Sequence, residues 1–388
     1  MAERFYEIAE LVTGGRTTLG LTLMALVLVL WGAGMVIWLR RYARVAGYRN
    51  VRRRMPRMVD GISVVVILSD DFHYLEHTLP RIMGQQYPDF ELVAIDVNSC
   101  PEFADELDAQ KARYPNLVTA RLDPDPRFRI SNKMIYNVGI KTARYNSVIL
   151  TTSDAYPTSS GWLAAMSKGF ANGEVVISYC GVEHGRGVGN AMIRCGRMMT
   201  GVRYLAAAVA GRPYRGVLQN LGFDKQLYLE NRGFNHLDMT VGEDDLFVQK
   251  IATRDNICVI MNRNATMQQT IHGGLAGWWR MRRLLGTTRS FYTARARRAT
   301  TTELVLRFML LLSVAVCAMF LPLYTALGAV VLWLARMLVV RHQITRISRR
   351  LGERAIGRWM LLYDPIEPFI CISLFVSRII CKPKANWK

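Results

Sequence analysis

Two kinds of hydrophobic pattern divide the chain. Near the N-terminus and again beyond residue 300, apolar residues run on without charge. Between those regions they come in short blocks separated by polar, helix-period segments. Leu19 to Leu39 is 21 residues without a charge, about 30 Å at helical rise, which is one bilayer core. It is too long for a signal-peptide core, and eight arginines between Arg40 and Arg57 follow it in place of a cleavage site. The pattern predicts a spanning anchor with its N-terminus outside and everything after Arg40 inside. Trp38 falls where an interfacial aromatic belt belongs. Phe308 to Ala335 is 28 uncharged residues, too long for one upright span. A single tilted span would put the arginine-rich stretch after it outside, against the positive-inside rule. A tight hairpin turning at Pro322, Leu304–Leu321 and Leu323–Val340, instead leaves Arg307 and Arg336 near the same cytoplasmic ends, where both can snorkel. Arg341 to Arg358 predicts a basic helix on the membrane surface. Ile366 to Ile380 carries Glu367 and Arg378 and reads as interfacial or re-entrant.

From Met58 to about Thr288 the pattern changes to soluble α/β. Ile62–Leu68 is a buried strand by composition, and Phe90–Ile95 is a second one ending at Asp96. Leu117–Ala120 and Ser147–Thr151 read as further strands. Tyr74–Met83, Glu102–Tyr114 and Lys133–Ala143 read as the helices between them. Strands alternating with helices imply a mostly parallel sheet with right-handed crossovers. Ligands bind such sheets beyond the carboxyl ends of the strands, where Asp96 and Asp154 both fall.

The net charge of +20 raises nucleic acid as a partner, but its distribution argues otherwise. The basic residues crowd beside the apolar spans, as they do against anionic headgroups. The seven cysteines include no CxxC pair, and the six histidines no HExxH, so neither set has metal-ligand spacing. Gly185-Arg186-Gly187-Val188-Gly189 lacks the full dinucleotide fingerprint and reads as a loop near an acceptor.

Three acidic positions remain. Asp154 follows the strand ending at Thr151, placed either to ligate Mg²⁺ or Mn²⁺, which prefer oxygen, or to cap a turn. Asp96, before Val97-Asn98-Ser99, has the same two readings: a hydrogen-bond acceptor for a base or ribose, or a turn acid. Glu243-Asp244-Asp245 is an acid cluster in a basic chain. Helix capping before Leu246-Phe247-Val248 explains one of the three comfortably. A general base at Asp244 explains another. Trp278-Trp279-Arg280-Met281-Arg282-Arg283 offers arginines for phosphate oxygens and indoles for a sugar or the membrane interface.

Together these residues resemble the membrane-bound bacterial branch of the family-two glycosyltransferases, which have the GT-A fold. The likeness runs from Met58 to about Tyr292. Asp96-Val97-Asn98-Ser99 is similar to that family's Asp-Asp-Gly-Ser. Lys133, Asn137, Gly139 and Ala143 fall on its Lys-x-x-x-Asn-x-Gly-x-x-x-Ala helix. Thr152-Ser153-Asp154 matches its Asp-x-Asp metal motif at the second acid only. Asn220-Leu221-Gly222-Phe223 resembles its acceptor-side segment, Glu243-Asp244 its Glu-Asp pair, and Arg280-Met281-Arg282-Arg283-Leu284 its Gln-x-x-Arg-Trp element, with Leu284 in place of tryptophan.

The resemblance implies an α/β, Rossmann-like GT-A catalytic domain over 58–290. An N-terminal anchor and basic segment (1–57) precede it, and a C-terminal membrane hairpin with basic interfacial helix and tail (291–388) follows. It implies an inverting transfer of one sugar from a nucleotide-diphosphate donor to a lipid-linked or membrane-proximal hydroxyl. Asp244 is then the base and Asp154 the ligand of Mg²⁺ or Mn²⁺. Asp96, Lys133, Asn137, Asn220, Glu243, Trp279, Arg280 and Arg283 contact substrate. Leu284 and the small number of spans argue against a processive polysaccharide synthase, and the eroded Asp-x-Asp leaves an inactive membrane scaffold as the rival class. The expected location is a bacterial inner membrane, catalytic domain cytoplasmic. The partners are then a sugar nucleotide, a lipid or glycan acceptor and membrane lipid, with no nucleic acid.

Overall fold

A computed structural model describes residues 2–50, 56–122, 131–234 and 241–380. Part of the basic run, 51–55, and the end of the C-terminal tail, 381–388, lie outside the described residues.

The chain begins with helix α1 (Ala2–Trp38), one π-helical turn (Leu39–Ala43) and the short α2 (Arg44–Gly47). The next elements are β1 (Ile62–Leu68), a π turn (Tyr74–Thr78) leading into α3 (Leu79–Met83), β2 (Phe90–Val97), α4 (Pro101–Arg113), β3 (Leu117–Leu122), α5 (Asn132–Thr142) and β4 (Ser147–Leu150). This half is the alternation that the apolar blocks predict. β1 is apolar at nearly every position because neighbours cover it on both sides and both faces. It pairs in parallel with β2, Val65 opposite Val93, and with β4, Val65 opposite Leu150. β3 pairs in parallel with β2 at the edge.

The second half folds back. It comprises β5 (Ala155–Pro157), α6 (Trp162–Phe170), β6 (Val175–Ile177), β7 (Cys180–Val182), α7 (Val188–Val209), β8 (Leu221–Asp224), α8 (Lys225–Glu230), α9 (Leu246–Ile251), β9 (Ile257–Val259), β10 (Met267–Gln269) and α10 (Gly274–Leu285). The main sheet runs β3-β2-β1-β4-β8-β6-β9, with β8 antiparallel to both neighbours, and β5-β10-β7 form a small second sheet. α5 lies across β1 and β2 at close range. A Cβ on Gly139 would come 2.4 Å from Ile95 Cδ1 and 2.5 Å from Val65 Cγ1, so only glycine permits the approach.

Three long helices end the chain: α11 (Ala294–Phe320), α12 (Leu323–Arg350) and α13 (Ile356–Ile380). With the stretch Thr18–Gly47 they make four helical segments long and apolar enough to cross a membrane. The hairpin turns at Pro322, the N-cap of α12, as expected. Three expectations need correction. Residues 341–350 continue α12 and form no separate surface helix. Residues 366–380 belong to a helix of spanning length rather than an interfacial tail. Arg307 and Arg336 are buried, not snorkelled. One cause underlies the last two. Arg307 of α11 binds Glu367 at 2.6 Å and Asp364 at 2.7 Å, Arg336 of α12 binds Asp364 at 2.5 Å, and Arg203 of α7 binds Glu367 at 2.7 Å. Glu367, one of the two charges that argued against a span here, is neutralised by arginines of α7 and α11, and Arg378 donates to the Gly286 carbonyl. Trp38 is likewise no belt residue: it is 1% exposed, with its ring centroid 4.2 Å from that of Tyr42.

Candidate active site

The sheet order 3-2-1-4 reverses direction between β1 and β4, and the crevice beyond their carboxyl ends is the candidate site. Asp96 sits at the end of β2, opposite Leu68 of β1 and Arg121 of β3. Its carboxylate is buried. Oδ2 accepts from Arg121 Nε at 3.2 Å, while Oδ1 has no partner among the described residues. Two non-glycine residues in left-handed backbone, Asp70 (φ 49°) and Asn98 (φ 53°), turn the chain at the neighbouring strand ends. The loops are fastened together: Cys100 N donates to Asp70 Oδ1 at 2.8 Å, and Asp70 N to Ser99 Oγ at 3.0 Å.

Asp154 lies four residues past β4 and two strands from Asp96, roughly 10 Å sideways at ordinary strand spacing. Its Oδ1 accepts from Thr152 Oγ1 at 2.5 Å and its Oδ2 from Gln269 Nε2 at 2.6 Å. The Gln269 carbonyl in turn accepts from Arg197 on α7. Beneath the loop the Tyr136 hydroxyl donates to the Thr151 carbonyl at 3.1 Å. Burial raises its pKa first, and the nearby charges of Glu243 and Asp154 add to the rise. Asp154 and the acid cluster, 89 residues apart at Glu243, therefore both act electrostatically on one phenol.

The acid cluster divides as capping allows. Asp245 is the N-cap of α9, accepting from Leu246 N at 2.7 Å, from Thr288 Oγ1 at 2.5 Å and from Tyr292 OH at 2.6 Å. It fastens the turn that leads to the membrane helices. Glu243 and Asp244 remain for chemistry. Burial lifts Glu243 to about 7, with Asp244 adding to the rise and Lys133 opposing it; its Oε1 has no partner among the described residues. Burial also raises Asp244, against the pull of Arg215, whose Nη2 donates to Oδ2 at 3.1 Å. Carboxyls raised toward neutrality are suited to proton transfer.

With that arrangement in place, the chain can be set beside known proteins. No protein-family model matches the sequence, and no curated protein matches it either. A solved structure of mannosyltransferase PcManGT from Pyrobaculum calidifontis, in complex with GDP-Man and Mn²⁺, superimposes with a TM-score of 0.61 at 17% identity. The match covers 93% of this chain and 100% of that one. S. aureus TarS 1-349 aligns over 84% of this chain and 93% of its own at 16% identity, with a TM-score of 0.43. The fold is that of a GT-A-type glycosyltransferase.

On that scaffold the other expected residues separate. Lys133 is buried on α5 and faces Glu243 electrostatically. Asn137, half-buried one turn on, accepts from Tyr228 OH at 3.3 Å. Asn220 was expected on the acceptor side, but it is wholly buried. Its Oδ1 accepts from Trp162 Nε1 at 3.1 Å, and its Nδ2 donates to the carbonyls of Ala265 at 2.8 Å and Tyr179 at 3.0 Å. That amide is bonded on both its oxygen and its nitrogen, tying α6 to the turn at Ala265 and the segment between β6 and β7, and its burial keeps it from a substrate. On α10, Arg280 is exposed and Trp279 and Arg283 are half-buried. It is Trp278 and Arg282, with Arg197 and Arg215, that line the cavity beside the acids. The arginines of α7 were missed, although Arg194, Arg197 and Arg203 in an apolar stretch at helical spacing were a readable sign of buried cations.

A divalent cation fits here in one manner. Among the described residues no three metal-ligating side chains converge. Asp154 would hold an ion alone, with the phosphates of a bound nucleotide completing the shell, as Mg²⁺ sites commonly do.

Proposed function

We propose that the protein is an inverting glycosyltransferase, moving one sugar from a nucleotide-diphosphate sugar to a hydroxyl on a lipid-linked or membrane-proximal acceptor. What supports this reading is the placement of Asp96 and Asp154 beyond the carboxyl ends of β2 and β4 in a GT-A-type sheet, with Asp154 and Glu243 both acting on the Tyr136 phenol. Asp96 Oδ1 accepts from the ribose or base. Mg²⁺ or Mn²⁺ at Asp154 supplies charge for the leaving diphosphate. Lys133 adds positive charge around the diphosphate. Asp244, raised by burial and oriented by Arg215, takes the proton of the acceptor hydroxyl as its oxygen attacks the anomeric carbon from the face opposite the leaving group. Glu243 keeps its proton to near neutrality and sits on the donor side with Lys133. The helices hold the site at the cytoplasmic face of a bacterial inner membrane.

Two measurements test this together. A thermal-shift screen of UDP, GDP, CDP and dTDP with and without Mn²⁺ should single out one nucleotide, since ligands that bind the native state raise its midpoint. The matching sugar nucleotide should then be turned over, with at least ~100-fold loss in Asp244→Asn while nucleotide binding is retained. Nucleotide binding with no turnover of any donor would make the chain a membrane scaffold instead.

A further inference from the structure

A cavity of about 180 Å³ lies between the soluble domain and the membrane helices. Six arginines line it, Arg197, Arg203, Arg215, Arg282, Arg289 and Arg378, and no Asp or Glu does. Two of the six have carboxylate partners: Arg203 pairs with Glu303 and Glu367, and Arg215 with Asp244. For the other four, no carboxylate lies within ion-pair distance among the described residues. Their partners are neutral: the Gln269 amide for Arg197, Tyr363 OH for Arg282, Thr301 Oγ1 for Arg289 and the Gly286 carbonyl for Arg378. Cations gathered out of bulk water without counter-charge are costly, and an anion with several oxygens would relieve that cost.

The remaining walls say what carries the anion. Leu304 comes from α11 and Leu374 from α13, both helices of spanning length, with Leu285 and the Trp278 indole beside them. An arginine-lined end and an apolar, membrane-side wall fit a phosphate with a hydrocarbon chain better than a free ion. The cavity is also tied to Asp244 and to Asp154. Arg215 donates to Asp244 directly, and Arg197 reaches Asp154 through the Gln269 amide.

We propose that this cavity binds the phosphate headgroup of a membrane lipid and so presents the acceptor to the site. The proposal rests on the glycosyl-transfer reading for its purpose, but binding can be tested apart from it. The full chain in phosphatidylcholine nanodiscs is titrated with dodecyl phosphate, dodecanol and inorganic phosphate, following tryptophan fluorescence. Dodecyl phosphate should bind saturably and the other two at least ~10-fold more weakly. Arg282→Gln with Arg378→Gln should weaken dodecyl phosphate by ~10-fold or more, the scale expected when two charge-assisted hydrogen bonds are lost. Arg282→Lys, which keeps the charge, should lose less, and nucleotide binding should not change in any of them. Should the double variant unfold, Arg289→Gln, outside the membrane helices, carries the same expectation. Unchanged binding of dodecyl phosphate by the glutamine variants would overturn the site. Equal binding of inorganic phosphate would overturn the lipid. Lipid-phosphate binding with no sugar transfer from any donor would leave the site standing and remove the transferase reading.

Discussion

Replacing Glu243 with glutamine isolates the electrostatic strain of the site. The carboxyl is buried, its Oε1 is unpartnered among the described residues, and its pKa stands at about 7 against an ordinary 4.5. A group that holds its proton more tightly in the folded state than in the unfolded one destabilises the fold as pH rises. Between pH 4.5 and 7 the folded chain keeps a proton that the unfolded chain has released. Stability falls across that window, and the whole loss is present above it. The difference, 7 minus 4.5, corresponds to roughly 3 kcal/mol at most. Glu243→Gln keeps the shape and removes the charge. At pH 8 the variant should therefore gain up to about 3 kcal/mol, or about 6–12 °C in apparent midpoint for a soluble domain of this size. At pH 5, where the wild-type carboxyl is protonated, it should gain almost nothing. Intrinsic fluorescence during heating, at one scan rate in one detergent, measures both. A shift of equal size at the two pH values, or none at pH 8, would show that Glu243 is not held neutral by burial.

Two further substitutions test the frame. Gly139→Ala forces a methyl against Ile95 and Val65 and should cost about 1–3 kcal/mol, read as a lower unfolding midpoint with nucleotide affinity reduced in step, since α5 also carries Lys133. Glu367→Gln removes the nearer of the two carboxylates that Arg203 and Arg307 share, leaving Glu303 at 3.3 and 3.5 Å, and should cost about 1–3 kcal/mol. An unchanged midpoint in detergent would deny that cluster its part in joining the soluble domain to the helices.

The parallel half of the fold was legible because its signals are local. Each apolar block between Ile62 and Leu150 is long enough to be a buried strand, and β1 begins and ends at the expected residues. The acids at strand ends followed from that. What escaped depended on partners distant in sequence. The stretch 366–380 looked too charged to span because Glu367 and Arg378 were read alone, while the partners of Glu367 sit on α7 and α11 and that of Arg378 is the Gly286 carbonyl. Asn220 looked like a ligand because its neighbours resemble a motif, whereas three remote groups consume its amide. Choosing among the arginines of α10 required knowing which face of that helix meets α7, and helical spacing alone does not say. Asp245 went the other way: capping was expected to account for one acid of three, and one acid caps.

The threonine at 152 makes a last, separable claim. Where the Asp-x-Asp pattern that this stretch resembles has its first acid, Thr152 Oγ1 donates to Asp154 Oδ1 at 2.5 Å, so the hydroxyl stabilises the single carboxylate instead of competing with it. A carboxylate at 152 would stand within about 4 Å of Asp154. At that distance two like charges repel by roughly 4 kcal/mol in a partly buried setting. Thr152→Asp should therefore lower the unfolding midpoint in chelator and recover it in Mn²⁺, because an added oxygen ligand strengthens a hard-cation site while the ion removes the repulsion. The wild-type chain should show a smaller Mn²⁺ shift in the absence of nucleotide, its one carboxylate being a weak site until phosphates join it. If Mn²⁺ shifts the two proteins equally without nucleotide, residue 152 does not face the ion, and Asp154 is not its ligand.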